Sequence, residues 1–270
     1  MVDTKTIVYK GSRGDDFRDM LTSVFRLGNL SQKYFDVLTN EKSMREYDKV
    51  FTSSGADVKN NYQMYEILGD STSNKCIVWY FYRRFPQLHC PEGVKVIARL
   101  KINYVSKKEF ASIGEGMGFW NFITAISEER ASKKRALLED VFEAFIGATE
   151  YLLDLHFQVG VGYSVVYDIF ENVFDKKEIS LRYEDLYDAK TRVKEYFDMH
   201  RDMGQLVYNN IRDPLTGMFV SSLFSDRERQ KILGTGQATN KGDAEQIASQ
   251  DAIDHYNLVR ELPEFYKYFC

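Results

Sequence analysis

The chain has 270 residues, 44% of them hydrophobic and 14% aromatic, which suits a folded protein with a sizeable core and excludes a disordered one. A formal charge of −4 argues against wholesale attraction to polyanions, although basic clusters occur at Arg83-Arg84, Lys107-Lys108, Lys133-Lys134-Arg135 and Lys176-Lys177. The longest apolar run, Cys76 to Tyr82, is too short to cross a bilayer, the first residues lack the zones of a secretory signal, and three widely spaced cysteines suit reduced thiols. An intracellular, cytoplasmic setting with no membrane is the expectation.

From about Phe17 to Phe174 apolar residues recur at helical spacing. "FRDMLTSVFRLGNL" opens the series. The stretch "NNYQMYEILGDSTSNKCIVWYFYRRFP", residues 60–86, reads as one long helix that Pro86 and Pro91 terminate. Its continuation "CIVWYFY" is apolar all round and is expected to be buried. "KEFASIGEGMGFWNFITAI", "RALLEDVFEAFIGATEYLLDL" and "SVVYDIFENVF" complete the helical part. A charged, weakly periodic boundary, "DKKEISLRYEDLYDAK", follows. Beyond it "KTRVKEYFDMH" predicts a short helix, while "GQLVYNNI", "GMFVSSLFS" and "RQKILGTG" read as strands, the first two joined by the turn signal "RDPLTG". "NKGDAEQIASQDAIDHY" predicts a closing helix with apolar or small positions at Ala244, Ile247, Ala248, Ala252 and Ile253. The order describes a small α+β module behind a larger all-helical domain.

Two features of the long helix do not belong to simple packing. Glu66 and Asp70 are four apart and therefore share a face, with Gln63 and Ser73 extending the stripe. Gly69 lies beside them, where glycine costs about 1 kcal/mol relative to alanine. A second pair, Asp140 and Glu143, occurs with Gly147 a turn further on. If the two helices cross at those glycines, four carboxylates meet. Their mutual repulsion would drive some of them to protonate unless divalent cations with oxygen ligands relieve it. Two ions about 3.5–4 Å apart are the arrangement used for in-line phosphodiester hydrolysis. Spacing alone leaves a solvent-facing polar stripe open as the plainer account.

The same residues resemble a known family. "NNYQMYEILGDS" is similar to the ribonuclease III signature Asn-Glu-Arg-Leu-Glu-Phe-Leu-Gly-Asp-Ala/Ser, and "EDVFEAFIGATEYLLD" to the family's second acidic helix. "VFTSSGADVKNNYQMYE" resembles its lead-in. "GTGQATNKGDAEQIASQDAI" resembles a segment of the double-stranded-RNA-binding domain that follows it. The resemblance implies a mainly α fold: an all-helical endonuclease domain over residues 16–175, a linker over 176–188 and an α-β-β-β-α RNA-binding domain over 189–260. It implies that Glu66, Asp70, Asp140 and Glu143 are the catalytic and metal-binding carboxylates, with Glu66 and Glu143 holding the main Mg²⁺ and Mn²⁺ able to substitute. It further implies cleavage of double-stranded RNA to 5′-phosphate and 3′-hydroxyl ends with short 3′ overhangs, by a homodimer paired through the endonuclease domain.

The chain departs from that pattern in places. The signature's first glutamate falls at Gln63, which can still hydrogen-bond a ribose hydroxyl; its arginine falls at Met64, and Ile67 stands where phenylalanine is usual. The lead-in histidine falls at Ser53, and Glu92 is a displaced candidate for an auxiliary glutamate. In the RNA module, Thr191, Lys194 and Glu195 occupy the positions that face a minor groove. Asn240 and Lys241 open the second helix, where Lys241 stands alone among the lysines the family uses for phosphates. The loop from Asp213 to Gly217 lacks the family's histidine. Fewer phosphate contacts predict weaker, less salt-dependent binding. A non-catalytic RNA-binding protein of the same fold is the alternative, and a helical scaffold the third reading. Four retained, mutually repelling acids favour the enzyme.

Overall fold

An Asx turn leads into the central helix: Asp57 accepts from the backbone N–H groups of Lys59 and Asn60, and Asn61 then caps Gln63. The computed structural model describes residues 7–227 and 231–258, and divides the chain into a unit ending at Glu178 and a unit beginning at Ile179. In the first unit the helices are α1 (Asp15–Phe25), α2 (Gln32–Thr39), α3 (Glu41–Val50), α4 (Gln63–Arg84), α5 (Gly93–Tyr104), α6 (Lys107–Gly116), α7 (Ser127–Ser132), α8 (Lys134–His156) and α9 (Val161–Phe174). The predicted helical texture is borne out, and α4 ends two residues before Pro86.

Helix α8 is the axis of this unit. From Leu137 to Thr149 every residue except Asp140 is buried. Helices α3, α4, α6 and α9 pack around it. Large rings fill the spaces between them: Phe25 stacks on Phe145 at 5.7 Å, and Phe110 and Phe170 approach Phe142 at 5.1 and 6.0 Å. The buried Tyr47 hydroxyl is satisfied by Thr149 at 2.9 Å.

Helix α4 departs from the expectation of all-round burial. Cys76, Ile77, Tyr80 and Phe81 face the core, but Trp79 and Tyr82 remain 48% and 44% exposed. The helix packs against α8, α5 and α9, and the stripe that carries these two rings faces outward. There Trp79 and Tyr82 stack at 5.5 Å, and His89 covers Tyr82 at 3.8 Å. Ser73, read as part of the polar stripe, is fully buried, and its hydroxyl has no partner among the described residues.

The segment before α1 forms a strap. Strand β1 (Val8–Tyr9) pairs antiparallel with β2 (Ala125–Ile126), and the backbone at Gly11 approaches Phe122 so closely that a Cβ would sit 2.0 Å from its carbonyl oxygen. Arg130 is sandwiched between the Tyr9 and Trp120 rings at 3.7 and 3.9 Å.

The second unit holds α10 (Tyr183–Leu186), α11 (Ala189–Met199), β3 (Leu206–Arg212), β4 (Phe219–Ser225), β5 (Gly234–Ala238) and α12 (Lys241–Tyr256). The three strands form an antiparallel sheet in the order β3-β4-β5. Helix α10 falls within residues 176–188, where a linker was expected, and buries Tyr183 and Leu186. The third strand begins later than "RQKILGTG" suggests. Among the described residues it consists of "GTGQA", and α12 sits directly on it: a Cβ on Gly234 or Gly236 would lie 2.2 Å from the carbonyl oxygen of Ala248 or Ala244. Ala244, Ala248, Ala252 and Ile253 are buried as predicted, whereas Ile247 is 47% exposed. Residues 259 and 260 of the expected RNA-binding domain, the strand-like Arg229 and Gln230, and the C-terminal tail lie outside the described residues.

Candidate active site

The anticipated crossing of the two acidic helices is present. A Cβ added to Gly69 would lie 1.7 Å from the Glu143 carbonyl oxygen, and one added to Gly147 would lie 2.2 Å from that of Tyr65. The two glycines therefore bring the backbones of α4 and α8 into contact. That contact sets the Glu66–Asp70 face of one helix against the Asp140–Glu143 face of the other. The thermodynamic cost of glycine inside α4 is offset by this approach.

The carboxylates perturb one another's protonation. Burial, with the charges of Asp70, Glu139, Glu66 and Asp140, pushes Glu143 up to about 8. Burial and the charges of Asp140 and Glu139 push Glu66 up to about 7. Asp140 is also raised by burial, opposed by a hydrogen bond from the Tyr62 hydroxyl at 2.8 Å. Asp70 is exposed and accepts from the Asn74 amide at 3.0 Å.

Three contributors were not singled out from the sequence. Glu139 is 7% exposed and pairs with Lys107 at 2.9 Å, placing a fifth carboxylate and one ammonium beside the four. A glutamate at an inward position of the α8 apolar period, three residues before Phe142, was a signal available in the sequence. Lys107, 32 residues away, had none. Tyr62 carries no spacing signal that ties it to the acids. Nearby, buried Ser53, where the lead-in histidine would stand, donates to Glu129 at 2.8 Å.

Among the described residues no three Asp, Glu, His or Cys side chains converge closely enough to hold an ion as they stand. The donor set nevertheless fits a hard divalent cation: clustered carboxylate oxygens, two of them raised to about 7 and 8 by burial and mutual repulsion. A cation there would offset the repulsion that the protein alone relieves through Lys107.

The remaining expected residues lie elsewhere. Gln63 is exposed at the start of α4, and Glu92 is exposed just before α5. In the second unit Thr191 donates to Asp188 at 2.9 Å, and Glu195 accepts from Tyr183 at 2.6 Å. Asn240 caps α12 by accepting from the Asp243 N–H at 2.9 Å. Lys241 and Lys190 both pair with Glu245. Lys194 is exposed and has no ion-pair partner among the described residues.

Comparison with known proteins covers the two acidic helices. Residues 63–152, which carry all four carboxylates, match the model of the ribonuclease III domain. A sequence of Invertebrate iridescent virus 6 assigned as a ribonuclease 3 is 40% identical over 98% of this chain and 96% of its own length. Another, from Frog virus 3, is 38% identical over 84% of this chain but only 61% of its own length. The ribonuclease 3 of Lactobacillus johnsonii is 30% identical over 87% of this chain and 99% of its own. No described helix is long and apolar enough to cross a membrane. With the carboxylates at the α4–α8 crossing and this similarity along nearly the whole length, the chain belongs to the ribonuclease III family of endoribonucleases.

Proposed function

We propose that the protein is a Mg²⁺-dependent endoribonuclease that hydrolyses double-stranded RNA inside a cell, leaving 5′-phosphate and 3′-hydroxyl ends with short 3′ overhangs. The observation that supports this reading is the backbone contact at Gly69 and Gly147, which turns the helix faces bearing Glu66, Asp70, Asp140 and Glu143 toward each other. Glu66 and Glu143 would hold the principal cation of a two-metal site, with Asp70 and Asp140 completing the oxygen donors and Mn²⁺ able to replace Mg²⁺. When bound, such ions acidify water and neutralise charge developing on the phosphate. In this reading Gln63, exposed at the head of α4, hydrogen-bonds a ribose hydroxyl.

We assign residues 16–175 to the endonuclease domain, 176–188 to a linker and 189–260 to the RNA-binding domain. Homodimerisation through the first is supported by an exposed apolar face. On α4, Met64, Ile67 and Leu68 are 68%, 64% and 42% exposed, and on α8 Tyr151 and Leu155 are 42% and 60% exposed. The second domain contacts RNA weakly in this reading, because Glu245 engages both Lys190 and Lys241. Lys194, exposed at a position that faces the minor groove in this reading, then supplies the main cationic contact to the duplex. Lys194→Ala is expected to weaken duplex binding and to reduce the slope of log K against log[salt] by about 1, as salt-titrated filter binding would report.

The reading is tested by incubating the chain with long double-stranded and single-stranded RNA, with Mg²⁺ or with a chelator. Cleavage confined to duplex with Mg²⁺ is expected. Duplex binding without cleavage would instead identify a sequestering protein of this fold, which its paired lysines disfavour.

A further inference from the structure

Tyr62 holds both acidic helices. Its carbonyl oxygen accepts from the Glu66 N–H at 2.9 Å, the hydrogen bond that opens the first turn of α4. Its phenol crosses to α8, where the hydroxyl donates to Asp140 Oδ2 at 2.8 Å. Its own N–H is anchored on the Thr52 carbonyl oxygen at 3.1 Å, and the residue is 6% exposed. Thr52 in turn bridges to Thr124, so the anchor belongs to the loop layer behind the site. Tyr62 stands where the family signature quoted above has asparagine, and it therefore belongs to this chain's own version of the site.

A carboxylate with one oxygen accepting from a fixed hydroxyl is restricted in how it can turn. Its second oxygen is thereby aimed, and such outer partners are worth about 10–100-fold in metal affinity or activity. We infer that Tyr62 is a positioning residue: its hydroxyl holds Asp140 Oδ2 so that the other Asp140 oxygen is presented to a divalent cation at the α4–α8 crossing. The inference rests on the carboxylate reading above and adds a determinant outside the four acids. It makes the hydroxyl, and not the buried ring, responsible for cation capture.

Tyr62→Phe keeps the ring and removes the hydroxyl, and the probe is Mn²⁺ itself, titrated calorimetrically into the full chain without RNA. The expected result is a Mn²⁺ affinity about tenfold weaker than wild type. The melting temperature in chelator should stay within a few degrees of wild type. In cleavage assays the Mg²⁺ concentration for half-maximal rate rises, while KM for duplex RNA at saturating Mg²⁺ stays within about twofold. A merely structural role would move the chelator melting temperature and leave the metal dependence alone. In an Asp140→Asn background, Tyr62→Phe should have no further effect on Mn²⁺ affinity, because the Asp140→Asn change already replaces the aimed carboxylate oxygen by an amide nitrogen that cannot bind the cation. Unchanged Mn²⁺ affinity in Tyr62→Phe, or an equal loss in the Asp140→Asn background, overturns the inference alone. A wild-type chain that takes up no Mn²⁺ overturns the metal reading and the inference together.

Discussion

Gly69→Ala is expected to destabilise the first unit by about 3 kcal/mol, at the upper end of overpacking costs, lowering its melting temperature by roughly 10 °C. The added methyl has nowhere to go: its position is 1.7 Å from the Glu143 carbonyl oxygen and 2.9 Å from the Gly147 nitrogen. These neighbours are backbone atoms of a helix whose surroundings are packed on all sides, so no side-chain rotation can make room. The helices must move apart. That separation would also spread the carboxylates, so cleavage should fall further than the fraction of folded protein accounts for. Thermal unfolding by circular dichroism, compared with Gly116→Ala as a control, measures the effect. Gly116 has nothing within 4 Å of its would-be Cβ and ends α6, so its replacement should be nearly neutral. Equal effects at the two positions would refute the role assigned to the crossing.

Glu143→Gln is expected to abolish cleavage by about a hundredfold to a thousandfold, yet to stabilise the metal-free fold at neutral and higher pH. Glu143 and Glu66 are pushed up to about 8 and about 7, chiefly by burial and then by neighbouring carboxylates. Between the ordinary glutamate range and those values the folded chain binds more protons than the unfolded chain. Stability is therefore greatest at acid pH within this window and is lost as pH rises through about 7 and 8. The loss is about 2 kcal/mol, smaller than unscreened shifts would give because both carboxylates retain contact with water. The melting temperature in chelator should accordingly decline from pH 5.5 to pH 8.5 by about 5 °C for wild type and much less for Glu143→Gln. Added Mg²⁺ should reverse the decline in wild type. A wild-type profile that is flat, or that rises over this interval, would show that the cluster is not under electrostatic strain. Activity surviving in Glu143→Gln would remove Glu143 from the catalytic set.

These two residues mark how far the sequence can be read. Helix periodicity exposed the Glu66–Asp70 and Asp140–Glu143 pairs because residues three and four apart on a helix are neighbours whatever the tertiary fold. The glycines beside them were informative for a related reason: a costly residue in a helix interior asks for an explanation, and close backbone approach is a common one. The packing of α12 on Gly234 and Gly236 shows the limit. The Gly-x-Gly was visible, but the helix that lies directly on it was not.

Amino-acid order by itself determined the mainly helical class, the α-β-β-β-α order of the second unit, the four acids and their pairing along each helix. All of these depend on local spacing. Only the tertiary structure decided that Tyr62 reaches Asp140 across 78 positions, that Lys107 pairs with Glu139 across 32, and that Lys190 and Lys241 converge on Glu245. It also decided that Trp79 and Tyr82 face outward from an apolar run. No local pattern encodes such contacts. They arise when separate helices pack, and burial then sets which charges meet and how strongly they perturb one another.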